Sequence, residues 1–421
     1  MNNALYVWIY PQSALKPVLC GTLDLIGGRR CLFSYAGKWR ASKNAFALSP
    51  DLPLKAGQFE PPAGLDLHPV FEDAGPDRWG RQIIDKVFQL PRRSPIDYLA
   101  TAGEDRIGAL GFSSSPDDYV VAKEQAFQAA DLADLLRAAQ ALEHHMPIND
   151  EMRRLLRPGA SAGGARLKAI IQDRQRHWIA KFPAEGDIAD MCAIEHASLR
   201  LAQACGISVP ESRLVPVRGK NVLLVERFDR TPNGARHHFA SARTLLIAQG
   251  VDMNDMAYSD LADTARKFSG TPKDDCRQIF WRMTFNVLME NTDDHEKNHA
   301  FLLDGKGWKL TPAYDLQPQL QGIDYQQLRV GKWAHEPSIK NILSDCGRFM
   351  LTKNEACIEI NRVMAVLARW PECFTAAGVS EADIALCRQY VRADAQAIHL
   401  LTAEPAEHPM SNQRKSLCAR M

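Results

Sequence analysis

The chain has 421 residues, with 51 Lys plus Arg against 50 Asp plus Glu and a formal net charge of +1. That length exceeds one ordinary core, and 46% hydrophobic with 24% charged residues is the composition of a globular chain rather than a disordered or fibrous one. Such a balanced charge excludes a protein that grips nucleic acid or an anionic membrane through its bulk field.

The N-terminus, Met1 to Gln12, lacks a basic segment followed by a long apolar one, so no secretory signal is expected. No stretch approaches the ~20 apolar residues of a membrane helix. Ten cysteines are scattered without a C-x-x-C, which argues against a zinc ribbon or a thioredoxin-type motif. They read as reduced core residues of a cytoplasmic protein.

In chain order, Leu5–Tyr10, Val18–Leu25 and Cys31–Tyr35 predict strands separated by Pro and Gly-Gly breaks. Residues 50–76 are rich in Pro and Gly, and Pro76-Asp77-Arg78-Trp79 opens an amphipathic helix to about Leu90. Arg166–Gln172 and Arg176–Phe182 predict a hairpin, Asp187–Cys205 a helix and Asn221–Phe228 a further strand. Thr271-Pro272-Lys273-Asp274 starts a helix with a threonine cap and proline at its first position, and its apolar stripe is Ile279, Met283 and Val287. Ala300–Leu303 and Trp308–Leu310 flank Asp304-Gly305-Lys306-Gly307 as a second hairpin. The expected division is a β-rich unit over 1–104, a mixed unit over 105–255, a helical unit over 256–402 and a frayed tail over 403–421.

Three motifs compete for the chemistry. Gly159-Ala160-Ser161-Ala162-Gly163 matches G-x-S-x-G, but a hydrolase needs that serine on a sharp strand-to-helix turn, and here a charged helical segment precedes it and a strand follows. His295-Glu296-Lys297-Asn298-His299 matches the H-E-x-x-H of a zinc peptidase, with His295 and His299 as ligands and Glu296 activating the metal-bound water. That chemistry needs one continuous helix, whereas the flanks, Asn291-Thr292-Asp293-Asp294 and the hairpin after His299, are turn and strand.

The third motif uses the same stretch as D-x-x-x-x-N. In a kinase catalytic loop the aspartate, here Asp293, takes the hydroxyl proton, and the asparagine, here Asn298, holds Mg²⁺. Asp315, just after the second hairpin, suits the second metal carboxylate. Gly163 and Gly164 lead into strands that end at Lys181, supplying a glycine loop and a phosphate cation in kinase order. In the helix expected over 187–205, Glu195 falls on the apolar stripe Ile188, Met191, Cys192, Leu199 and Ala202. A carboxylate on a buried face requires a partner, and in a kinase that partner is the strand lysine, here Lys181. The plain alternatives are a carboxylate reaching solvent at the stripe's edge and an ordinary strand-end lysine.

At these residues the chain resembles the HipA family of serine/threonine kinases, the toxin half of HipA–HipB toxin–antitoxin modules, over about residues 1–400. The resemblance is carried by Asn291-Thr292-Asp293-Asp294-His295-Glu296-Lys297-Asn298, Thr311-Pro312-Ala313-Tyr314-Asp315, Val225-Glu226-Arg227-Phe228-Asp229-Arg230 and Ser161-Ala162-Gly163-Gly164-Ala165-Arg166-Leu167-Lys168. Asp73-Ala74-Gly75-Pro76-Asp77-Arg78-Trp79-Gly80 is similar to the family's first subdomain. The resemblance implies an α+β, bilobal, phosphoinositide-kinase-like fold with an N-terminal β-rich subdomain and a helical C-terminal lobe.

It further implies ATP and Mg²⁺, with Asp293 as base, Asn298 and Asp315 on the metal and Lys181 on the phosphates. Glu226 and Phe228 would bind adenine through their backbone, and His295, Lys297 and Tyr314 would complete the nucleotide site. In the phosphate loop Gly163, Gly164 and Ala165 would approach the phosphates, and either Arg166 or Lys168 would contact them. Ser161 corresponds to the family's autophosphorylated serine, where an added dianion would repel ATP phosphates. The implied partners are a HipB-like helix-turn-helix antitoxin, operator DNA only through that antitoxin, and an aminoacyl-tRNA synthetase as substrate, with no membrane. A catalytically silent module that only binds the antitoxin is the remaining reading.

Overall fold

A computed structural model describes residues 3–12, 14–90, 92–120, 127–144, 146, 155, 168–305 and 307–393. Ser161, Gly163, Gly164, Ala165 and Arg166, and with them the G-x-S-x-G match and the tail, lie outside the described residues.

Five antiparallel strands form the first sheet: β1 (Ala4–Ile9), β2 (Val18–Ile26), β3 (Arg30–Tyr35), β4 (Gln58–Phe59) and β5 (Leu110–Ser113), in the order β4-β3-β2-β1-β5. Gly27 and Gly28, both at positive φ, make the tight β2–β3 turn, a conformation that costs a residue with a Cβ. Leu5, Val7 and Ile9 alternate inward from β1 onto Leu23, Phe33 and Phe71. The sheet's edge strand β5 lies beyond residue 104, so the β-rich unit draws on chain that the sequence reading assigns to the next region.

The second sheet holds β6 (Lys168–Asp173), β7 (Arg176–Lys181), β8 (Ser212–Val217) and β9 (Lys220–Glu226) in the order β6-β7-β9-β8. Val222 and Leu224 of β9 pack with Trp178 against the helix Leu132–Glu143, while Leu223 and Val225 face the helix Met191–Ala204. A strand covered on both faces reads as an unbroken apolar run, which is why Val222-Leu223-Leu224-Val225 shows no alternation. The helix starts at Met191 rather than Asp187, because the Asp190 carboxylate accepts from Ala193 N at 3.0 Å and from Asn221 Nδ2 at 2.6 Å. Ile188 therefore precedes the helix, 65% exposed, and takes no part in its buried stripe.

The third sheet is β10 (His238–Ser241), β11 (Ala300–Asp304) and β12 (Gly307–Leu310) in that order. It packs beside helices that include Tyr258–Phe268, Pro272–Leu288 and Lys353–Leu367. Pro272 occupies the first position of its helix, but the Thr271 hydroxyl makes no cap bond. The turn is held instead by Asp275, which accepts from Ser269 Oγ at 2.6 Å and Leu310 N at 3.1 Å.

A polar seam joins the first sheet's unit to the rest. Asp73 accepts from Ser241 N, Ser241 Oγ and Thr244 Oγ1, each at 2.7 Å. The His238 ring meets Leu48 O at 2.7 Å, and Arg227 and Arg230 each donate to Arg106 O at 2.8 Å. Among the described residues no helix is long and apolar enough to cross a membrane.

Candidate active site

Five segments converge on one cavity: the start of β6, the end of β7, the helix Met191–Ala204 and the two loops on either side of the β11–β12 hairpin. Lys168, Lys181, Glu195, Asp293, Asn298 and Asp315 line it. Pairing of Lys168 with Lys181 in the β6–β7 register sets the two cations side by side. Lys181 Nζ donates to Glu195 Oε1 at 2.5 Å and also to Asp315 Oδ1.

Asp315 has φ +57°, a left-handed conformation that a short polar side chain tolerates but few others do. Such strain persists only where the surroundings over-determine it, and here Asn291 Nδ2 donates to the Asp315 carbonyl at 3.4 Å.

The loop carrying Asp293 is anchored by its neighbour. Asp294 is 1% exposed, and its Oδ2 accepts from Tyr258 Oη at 2.5 Å and meets His299 Nε2 at 2.8 Å. Asn286 Nδ2 donates to Tyr258 Oη at 3.3 Å, and Asn291 Nδ2 donates to Asn286 Oδ1 at 3.1 Å. This buried network turns Asp293 outward, where it is exposed at the cavity rim. Residues 296–298 form a single 3₁₀ turn, so His295 and His299 do not share the helix face a zinc peptidase needs. His295 Nδ1 accepts from Lys297 N at 3.2 Å, and His299 is committed to Asp294.

Charge crowding shifts the site's acids and bases. Although the Asp293 side chain reaches the rim, partial desolvation there raises its carboxyl, with His295 opposing the effect and Asp315 and Asp294 adding to it. For Asp315, burial is outweighed by Lys181 and then Lys168, which hold the carboxyl at about 2. Burial also works against the Lys181 ammonium, but Asp315 and Glu195 more than reverse it and raise its pKa. Lys168 goes the other way: burial lowers its pKa, and its Nζ has no hydrogen-bond partner among the described residues.

A divalent cation is tested by the donor set it would meet. Asn298 Oδ1 is buried without a partner among the described residues, while Asn298 Nδ2 turns to Asp293 O at 3.4 Å. An orphaned amide oxygen and a carboxylate held ionised, on one cavity wall, are hard-oxygen ligands that fit Mg²⁺.

Away from the charges, the Phe228 and Tyr314 rings stack at 5.6 Å with 30° between planes, beside Ile107, Phe239 and Ala300. Tyr314 Oη donates to Lys297 O at 2.7 Å, while the Lys297 side chain is exposed and lines a different pocket, with Asp73 and Arg78. Glu226 ends β9 with its N–H already given to Glu211 O at 2.8 Å and its carboxylate accepting from Arg176 Nε at 2.7 Å. Only its carbonyl remains for an adenine, and Phe228 lies past the strand. The sequence reading missed Asp294, His299, Tyr258, Asn286 and Asn291 as supports; the run of polar residues ending a buried helix was the available signal.

Antiparallel sheets and a helical lobe meeting at this lysine–carboxylate cavity define an α+β, kinase-like fold. The family model of the HipA N-terminal domain matches residues 14–113, and that of the HipA-like C-terminal domain matches residues 160–370. The chain belongs to the HipA family. It is 26% identical over 330 residues to a Sinorhizobium fredii protein named "Putative kinase Y4mE", covering 71% of this chain and 76% of that one. With the serine/threonine-protein kinase toxin HipA of Shewanella oneidensis it shares 27% identity over 153 residues, 32% of this chain and 35% of that protein. The fold is similar to a chain of the Shewanella oneidensis MR-1 complex of HipA, HipB and operator DNA, with TM-score 0.68 and 18% identity, covering 93% of this chain and 96% of that one.

Proposed function

We propose that the chain is an ATP- and Mg²⁺-dependent protein serine/threonine kinase of the HipA toxin type. The observation that carries this reading is the convergence of Lys181, Glu195, Asp315, Asp293 and Asn298, from four separate segments, on one cavity. Glu195 orients Lys181 for the nucleotide phosphates, and Lys168 adds a second cation beside it. Asn298 and Asp315 would hold Mg²⁺, which neutralises phosphate charge when bound. Asp293 takes the acceptor hydroxyl proton, and its raised pKa moves it toward the range of an effective base. Phe228, Tyr314 and the Glu226 carbonyl are the proposed adenine contacts by family analogy; none of the three lines the lysine–carboxylate cavity itself.

A HipB-like helix-turn-helix antitoxin, with operator DNA reached through it, is the proposed partner, and the similarity to a chain of the HipA–HipB–operator DNA complex supports it. An aminoacyl-tRNA synthetase is the proposed substrate and Ser161 the proposed autophosphorylation site, both by family analogy.

Incubation with radiolabelled ATP and Mg²⁺ tests the reading. Asp293→Asn is expected to lower phosphorylation by about 10²–10⁴-fold. Full ATP-dependent activity in that variant overturns the assignment of the base. Phosphopeptide mapping decides Ser161: an active enzyme with that serine unmodified removes it from the proposal.

A further inference from the structure

A second cleft opens beside Asp293. It is lined by Thr292, Asp293, Gln319, Gln321, Ile323, Tyr325 and Gln327. Asp293 and Gln319 line both this cleft and the lysine–carboxylate cavity, so the two spaces meet at the carboxylate. The pocket beside Lys297 shares no lining residue with that cavity. We infer that this cleft is the acceptor subsite, and that it takes a polypeptide segment whose residues flanking the hydroxyl carry no charge; the inference rests on the kinase reading above.

The cleft's chemistry is specific. Gln319 N donates to Glu290 O at 2.8 Å and Gln327 N donates to Thr292 O at 3.0 Å, so both ends of segment 319–327 are stitched to the loop that carries Asp293. The carboxamides of Gln319, Gln321 and Gln327 make no hydrogen bond to another described residue. Each carboxamide offers a donor and an acceptor together, which is what an extended peptide main chain presents in return. Ile323 and the 55%-exposed Tyr325 add an apolar face for a neighbouring side chain. Asp293 is the cleft's one charged lining residue, and nearby Asp324 turns out to pair with Arg392. In transfer, the acceptor oxygen bonds to the γ-phosphorus as the bond to the ADP oxygen breaks. The hydroxyl proton passes to Asp293, and phosphopeptide and ADP leave.

The test uses the full-length protein, radiolabelled ATP with Mg²⁺ and a positional library of Ser- and Thr-containing peptides. Wild type is expected to favour neutral flanking residues, and Gln321→Glu/Gln327→Glu to shift the ratio of basic-flanked to acidic-flanked peptides by about fivefold or more. An unchanged ratio in that variant overturns the inference. Wild type that shows an ATP·Mg²⁺ thermal shift but labels only small hydroxyl compounds overturns it as well, leaving nucleotide binding intact. Absence of both the thermal shift and any labelling overturns the kinase reading, and this inference with it.

Discussion

Two buried charge clusters, one around Asp229 and one around Asp315, are finished differently. Around Asp229, 1% exposed, Arg227 donates from Nε at 2.9 Å and Nη2 at 2.8 Å, Arg230 from Nη1 at 2.6 Å and Gly108 from its N at 2.7 Å. The same guanidiniums also reach the carbonyls of Arg106 and Gly108. Around Asp315 the backbone is strained, and Lys168 Nζ and Asn298 Oδ1 are buried without partners among the described residues. Buried polar atoms left unpaired cost about 1–3 kcal/mol each, a cost that a bound ligand can offset. The satisfied cluster is a clamp between chain regions; the unsatisfied one is the proposed nucleotide and metal site.

The contrast can be broken most forcefully at Asp229. Asp229→Ala leaves two guanidiniums buried and uncompensated, and is expected to cost about 3–5 kcal/mol in urea unfolding. A loss under ~1 kcal/mol would mean that the clamp is not structural.

The same seam should respond to acid. Burial, opposed by the Leu48 carbonyl, lowers the His238 pKa from 6.5 to about 4. The unfolded chain therefore binds this proton at a higher pH than the folded one. The stability is fully present above pH ~6.5 and is lost as pH falls toward ~4, to a total of about 3 kcal/mol. Comparing urea midpoints of wild type and His238→Gln across that window isolates the histidine, and parallel pH profiles would refute its role.

The smallest effect is expected at Lys168, whose buried ammonium has no partner among the described residues. Lys168→Met is expected to stabilise the nucleotide-free protein by about 1 kcal/mol and to reduce its ATP-induced thermal shift. A destabilised variant with an undiminished shift would place Lys168 among the structural charges.

Local signals carried much of the fold. The β2–β3 and β11–β12 hairpins follow from Gly-centred turns between apolar runs, and Pro272 marks its helix. Four-residue strands such as β5 and β10 have too few positions to show a period, and only their partners β1 and β11 define them. The helix starts only at Met191 because the Asp190 carboxylate caps it and also serves Asn221, a contact from β9. In the site, Glu195 was legible as a carboxylate on an apolar stripe. Asp294 was only half legible: the polar run ending a buried helix marks the residue, but its partner Tyr258 lies 36 positions away.

By itself the sequence determined which chemical groups exist and in what order: a near-neutral chain, a strand lysine, a stripe carboxylate, Asp293 five positions before Asn298, and Asp315 beyond a hairpin. Spacing and residue chemistry suffice for that, because turns, caps and periodicity act over a few residues. Only the tertiary structure decided that Lys181 is shared between Glu195 and Asp315, that Lys168 lines the same cavity with no partner among the described residues, and that Asp293 also lines a second cleft in which it is the one charged residue. Those are relations between distant segments, set by core packing and by where a buried charge can find its partner.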